Sequence, residues 1–409
     1  MEIYLRTRSN NFQRLVKTFG ARISVRMFRG LKSVLFLILF LSLAGCQFGS
    51  SAAGERALNG TALHEAWTQS VGAPINHPPL PVGEILIVAA VESPLVGLDI
   101  ETGKPRWEYD PGVRIWDRAF ASDGERVFVG IADGGFVALD ASTGKVLWET
   151  QLGINAQVPP LVADGVVYIS TTFAGPGMLG DPTGKAKLFA LAADDGRVLW
   201  EFESGNYILQ SPFKQGEAVY VAGSFDDPRD VDEGGHMRVY ALNAADASVR
   251  WVYESDDGFT KQVYATDRVV TYIAYQDFTV GVDAATGKPL WRLDTGNWVP
   301  TFMGRGNFVY YGSANTAVHA VDLEKGELAW KYNIPIGTFN YILGAPVILA
   351  DEMVFLTQHG EIISLDAATG EFRWQFPTGI VAARTGVSVS NGWIFLGDAE
   401  GVVHGYTDG

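Results

Sequence analysis

Cysteine is almost absent: the 409-residue chain has one, Cys46. A single thiol makes no intramolecular disulfide, and it excludes a Cys-x-x-Cys redox pair or a cysteine-built zinc site. Basic charge is also short. The 31 Lys and Arg stand against 46 Asp and Glu, for a net charge of −15. That is the wrong sign for a groove that tracks nucleic-acid phosphates. None of His64, His77, His236, His319, His359 and His404 stands at H-x-H or H-x-x-x-H spacing from another, so no transition-metal motif is offered. No G-x-S-x-G elbow or phosphate-binding P-loop occurs.

What is there is apolar and rich in turns. Hydrophobic residues make up 47% of the chain, enough for a sizeable core, and 47 residues are glycine. Glycine spread among short apolar runs predicts an all-β protein.

Residues 1–45 read as an address. A Lys- and Arg-rich stretch precedes the apolar run VLFLILFL (34–41), which ends in Leu43-Ala44-Gly45-Cys46. The run is too short for a membrane span of about 20 residues, and its flanks are those of a secretory signal. Met27 opens a signal of ordinary length and is the expected start. The ending resembles the bacterial lipobox, which implies cleavage before Cys46 and acylation of that residue (diacylglycerol and palmitate-type chains). Three chains anchor firmly where one binds marginally. By the same resemblance Gln47, which is not Asp, implies the periplasmic face of the outer membrane. Residues 46–62 are small and polar and are expected to form a flexible tether.

From residue 63 to 409 one unit recurs. A ten-residue phrase appears as LDIETGKPRW (98–107), LDASTGKVLW (139–148), LAADDGRVLW (191–200), LNAADASVRW (242–251), VDAATGKPLW (282–291), VDLEKGELAW (321–330) and LDAATGEFRW (365–374). Its tryptophans are Trp107, Trp148, Trp200, Trp251, Trp291, Trp330 and Trp374, and Trp67 stands 40 residues before the first. The period suits four short strands per unit, one propeller blade. Asp-Gly pairs suit the hairpin turns, and the large aromatic suits packing between sheets. The last strands lack a Trp strand, and the strand around Trp67 lacks its three partners. Pairing the termini makes an eighth blade and removes exposed edges. The expected fold is a single eight-bladed β-propeller with four-stranded antiparallel blades, and a monomer.

The phrase D-A-x-T-G-K/E-x-x-W resembles the repeat of the pyrroloquinoline-quinone (PQQ) propeller family. In length, lipobox and layout the chain is similar to that family's BamB branch, the lipoprotein accessories of outer-membrane β-barrel assembly. The resemblance implies a non-enzymatic scaffold that binds an envelope protein. The enzymatic branch holds PQQ over a tryptophan floor beside calcium, often under adjacent cysteines. The second cysteine and the extra length of those enzymes are missing here, so neither PQQ nor calcium is expected. The alternatives are an envelope or surface lipoprotein of other specificity, and a PQQ-binding quinoprotein.

Two units are longer after their second strand, by FAGPGMLGDPTGKAK (173–187) and SFDDPRDVDEGGHMR (224–238). Long loops on rigid scaffolds carry binding. The second holds Asp226, Asp227, Arg229, Asp230, Asp232 and Glu233, without EF-hand spacing. Aligning the units on their turns places Trp116, Asp117, Gln157, Gln210, Lys261, Trp298 and Arg384 near one rim of the funnel. Trp116 and Trp298 fall outside the phrase. They read as channel plugs or as an aromatic patch for an extended peptide.

Overall fold

The computed structural model describes residues 57–153, 155–171, 186–205, 207–225, 236–257, 260, 262–274, 278–294, 299, 301–313, 316–335, 342, 344–380 and 385–409. The signal and Cys46 therefore lie outside the described residues.

Eight antiparallel sheets follow one another along the chain. Blade 1 is formed by Leu80–Val82, Ile85–Ala89, Leu95–Asp99 and Pro105–Tyr109. Blade 8 takes three strands from the C-terminus, and its fourth, His64–Ser70, pairs with Val402–Thr407. Blade 4 departs from four plain strands: its inner strand is broken into Ile208–Leu209 and Phe213–Gln215, both paired to Ala218–Phe225. That strand and the next, His236–Asn243, are long. The residues flanking 226–235 in the second expected insertion are therefore strand. The core has no single centre. Eight buried clusters lie one at each blade-to-blade junction, because each sheet is apolar on both faces and needs a neighbour on each side.

Antiparallel order sorts the connections onto two faces. Those after the first and third strands share one face, here the turn face. Those after the second and fourth share the other, the rim face. On the turn face the phrase repeats its chemistry. Asp140 Oδ1 accepts from the Thr143 amide at 2.8 Å and from the Thr143 hydroxyl at 2.7 Å, an Asx turn that closes the hairpin. In blade 1 the Thr102 hydroxyl, then Arg106, hold the Asp99 carboxyl down to about 2.

The tryptophans sit third in most outer strands, as Trp148 does in Val146–Gln151, rather than at the strand start. Seven of the eight indoles reach over the following blade's turn. Trp67 donates to the Ile100 carbonyl, Trp107 to Ala141, Trp148 to Ala193, Trp200 to Ala244, Trp251 to Ala284, Trp291 to Leu323 and Trp330 to Ala367, all at 2.8–3.1 Å. Under the Trp148 ring lies Gly196 at φ +72°, where a Cβ would fall 2.5 Å from the indole. Glycine answers both demands, the left-handed backbone and the close approach. Blade 4 has Ala247 at this position, at φ +60°.

The packed chain begins earlier than residue 63. Leu58 and Leu63 are each 6% exposed and belong to the cluster between blades 7 and 8. The Leu58 amide donates to Glu352 Oε2 at 2.9 Å, and the Asn59 amide to Asp408 Oδ2 at 2.8 Å. The segment 57–62, expected in the tether, is part of the propeller.

Candidate functional site

Besides the broken strand of blade 4, two regions among the described residues depart from the repeat: the rim face of blade 2 and the junction where the chain closes on itself.

The inner strand of blade 2, Ile115–Ser122, carries the first. Its register against Arg126–Ile131 jumps from Ile115↔Ile131 to Phe120↔Val129. Four residues, Trp116 to Ala119, stand opposite Gly130 alone. A bulge of this kind re-aims side chains and ends regular pairing. The Arg114 guanidinium lies over the Trp116 ring, 4.6 Å from its centroid, and Arg114 Nη1 is 3.9 Å from Glu92 Oε1. Cation–π contact and a partial charge partner hold the Arg114 head in place. Trp116 Nε1 is buried and has no hydrogen-bond partner among the described residues. Asp117 follows it, half-buried.

Gln157 precedes the inner strand of blade 3 and is half-buried. Gln210 sits in the break of blade 4's inner strand. Its amide donates to the Ala222 carbonyl at 2.9 Å, and its carbonyl accepts from Ser170 Oγ at 2.6 Å, tying blade 4 to blade 3. Lys261, Trp298, Arg384, Asp226, Asp227, Arg229, Asp230, Asp232 and Glu233 lie outside the described residues.

The rim face also holds stitches that the phrase does not announce. Gln262 donates through Nε2 to the Phe302 carbonyl, and its Oε1 accepts from Thr301 Oγ1 at 3.3 Å. These tie blade 5 to blade 6. Thr385 Oγ1 donates to the Gly397 carbonyl at 2.9 Å. Such Ser, Thr and Gln side chains meet backbone groups that would otherwise be buried unpaired. The sequence hint was a polar residue at the start or end of an inner-layer strand, too common to single out.

The second region is the closure. Glu352 opens the second strand of blade 7 and is 1% exposed. Its Oε1 accepts from Ser364 Oγ and from Trp374 Nε1, the latter at 2.5 Å, and its Oε2 accepts from the Leu58 amide. Trp374 is thus the one phrase tryptophan whose indole ends on a carboxylate.

A buried histidine lies in blade 6. His319 is 5% exposed and packs against Tyr311, with ring centroids 5.1 Å apart and the rings tilted by 46°. Burial first, then the charge of Lys331, pull its imidazole down to about 4. A histidine unfolded near 6.5 and folded near 4 binds its proton more readily when unfolded. Its contribution is present above pH 6.5 and is lost as pH falls toward 4. The shift corresponds to about 3 kcal/mol. The urea midpoint is expected to drop between pH 7 and pH 4, and His319→Gln is expected to flatten that drop. An equally steep drop in the variant would assign the effect to other groups.

Among the described residues no three His, Cys, Asp or Glu side chains converge to hold a metal ion.

Ring closure by both termini, indole-on-turn packing and the phrase itself define an eight-bladed propeller of the PQQ-repeat type. The family model described as outer membrane protein assembly factor BamB matches residues 57–115, 110–332 and 276–407. The chain belongs to that family. It is similar to the outer membrane protein assembly factor BamB of Shewanella oneidensis, 25% identical over 232 residues, covering 53% of this chain and 55% of that protein. It is also similar to the serine/threonine-protein kinase AfsK of Streptomyces coelicolor, 28% identical over 197 residues, covering 46% of this chain and 22% of the kinase. The chain thus spans about half the length of the BamB relative it matches and about a fifth of the kinase. Among solved structures, BamB from Moraxella catarrhalis superposes with a TM-score of 0.59 at 17% identity, covering 84% of this chain and 99% of that one. A quinohemoprotein alcohol dehydrogenase from Pseudomonas putida superposes with a TM-score of 0.64 at 14% identity, covering 88% and 78%. At these identities the likeness is one of fold.

Proposed function

We propose that this chain is a non-enzymatic, lipid-anchored scaffold of the bacterial envelope that binds protein partners in outer-membrane β-barrel assembly, as its BamB relatives' name implies for them. The observation that supports it is the family match, whose overlapping segments run from residue 57 to residue 407 without a gap. The anchor is Cys46, and the setting is the periplasmic face of the outer membrane. The binding surface is the rim face, where Trp116 and Asp117 stand in the blade 2 bulge; Lys261, Trp298 and Arg384, which lie in sequence in the connections before blades 5, 6 and 8, are candidates for the same surface. The acidic insertion with Asp226, Asp227, Arg229 and Asp230 is a further candidate for partner binding. A rigid ring suits this work because binding there orders little additional chain.

The test is mild crosslinking of the full-length, C-terminally tagged protein in its own host, followed by solubilisation and identification of what co-purifies. A β-barrel assembly protein is expected. It is expected to be lost when 172–185 and 226–235 are replaced by short Gly-Ser links. Recovery of the anchored propeller without any barrel-assembly protein would overturn the reading. Titration of the same sample with PQQ and Ca²⁺ tests the quinoprotein alternative, which the dehydrogenase-like fold supports; no saturable binding is expected.

A further inference from the structure

Seven indoles end on a backbone carbonyl of the next blade, and the eighth ends on a carboxylate. The exception has a topological cause. Blade 8 draws its outer strand from the N-terminus, so it has no phrase turn between its third and fourth strands. Trp374 therefore faces neither the usual carbonyl nor the usual turn glycine.

We infer that residues 57–63 are a strap that replaces this missing turn, and that Glu352 is its receptor, closing the ring at the junction of blades 7 and 8. The strap supplies Gly60, which lies against the Trp374 ring where any Cβ would overlap it. It supplies Leu58 and Leu63 to the junction's apolar cluster. Glu352 supplies the acceptors that the missing turn would have offered. This role concerns how the ring is held shut and does not depend on which partner the rim face binds.

The chemistry of Glu352 makes strap and receptor interdependent. A buried carboxylate is tolerated only when its oxygens are hydrogen-bonded. Here three donors meet it: the Ser364 hydroxyl and Trp374 indole on Oε1, and the Leu58 amide on Oε2 at 2.9 Å. The Leu58 amide is the sole donor to Oε2 among the described residues. Without the strap that oxygen is left bare in an apolar junction. Without the carboxylate the Leu58 amide is a buried donor with no acceptor. The Asn59 amide, on Asp408 Oδ2 at 2.8 Å, fixes the next peptide to the chain's C-terminal end. Glu352 is thus a positioning residue for the strap.

Hydrogen exchange on the full chain, read by mass spectrometry over peptides spanning 57–63, tests this in four proteins: wild type, Glu352→Gln, Trp374→Phe and the double variant. A glutamine at 352 has one acceptor oxygen and one donor group, so its NH₂ must confront the Leu58 amide or the Trp374 indole. The strap is expected to exchange about 10- to 100-fold faster in Glu352→Gln, with peptides of blades 2–5 unchanged. Trp374→Phe removes the competing indole. In the double variant the NH₂ turns to Ser364, whose hydroxyl can accept, and the oxygen serves Leu58. Strap protection is expected to return to the level of Trp374→Phe alone. Wild-type exchange in Glu352→Gln, or a double variant no slower than Glu352→Gln, would overturn the proposal. Leu58→Pro, which removes the amide donor and leaves Glu352 intact, covers the case where Glu352→Gln does not fold. It too is expected to speed exchange across the strap, and an unchanged rate there would likewise overturn the proposal.

Discussion

Trp148→Ala is expected to destabilise the protein by about 3–5 kcal/mol, the range for deleting a large buried aromatic. The side chain is 9% exposed and fills the cluster between blades 2 and 3. Phe128 and Phe136 lie against it at 5.9 and 6.3 Å between centroids. The substitution also strips the Ala193 carbonyl of its indole donor at 3.0 Å. Neighbouring sheets meet side to side, so the junction cannot collapse into the space without moving a whole blade. Urea unfolding followed by near-ultraviolet circular dichroism measures the loss. A loss below about 1 kcal/mol would mean that the indole is not what joins these blades.

Gly196→Val attacks the same contact from the other blade and is expected to cost about as much. Gly196 sits at φ +72°. A Cβ there would be 2.5 Å from the Trp148 ring and 2.6 Å from Thr150 Oγ1. A left-handed backbone costs a non-glycine residue about 1–2 kcal/mol. Forcing extra volume into a packed junction adds about 1–3 kcal/mol. The two parts separate experimentally. Gly216→Ala carries the backbone strain alone, since φ is +56° with nothing within 4 Å of the added carbon. In Trp148→Ala/Gly196→Val the ring is gone and its share of the steric part is relieved while the Thr150 contact stays, so the double variant is expected to lose about 1–2 kcal/mol less than the sum of the two single losses. Strict additivity would show that the valine is resisted by something other than the indole.

These paired effects explain why so much of the fold was legible. The tryptophan that joins two blades and the glycine that receives it occupy fixed places in one ten-residue phrase, so the sequence prints both halves of each junction. The closing pair of terminal strands was legible for a related reason: a strand around Trp67 without partners and three C-terminal strands without a fourth complement each other. Glu352 was not legible. In Ala350-Asp351-Glu352-Met353 it reads as a second exposed turn acid, and its burial comes from partners distant in sequence, Leu58, Ser364 and Trp374. Leu58 was misplaced in the tether because Ala57-Leu58-Asn59-Gly60 has no period, and its burial is wholly a matter of distant partners. Trp116 was singled out because it stands outside the phrase, but the bulge that carries it has no local signature such as glycine. On the rim face, alignment by turns named positions without showing whose side chains meet, since those connections differ from blade to blade.

The strap also sets where the chain enters the ring. In a ring of eight, the junction of blades 7 and 8 is diametrically across from the junction of blades 3 and 4. The strands that bracket residues 172–185 and 226–235 belong to blades 3 and 4 and release those connections on the rim face. The strap enters on the turn face, where His64 pairs with Thr407. With the proposed anchor at Cys46, the stretch to Ala57 is a leash of at most about 36–40 Å. The strap and the strands that bracket 172–185 and 226–235 thus stand on opposite sides of the ring, so the chain enters the propeller about as far as the ring allows from the two blades whose second and third strands are most widely separated in sequence.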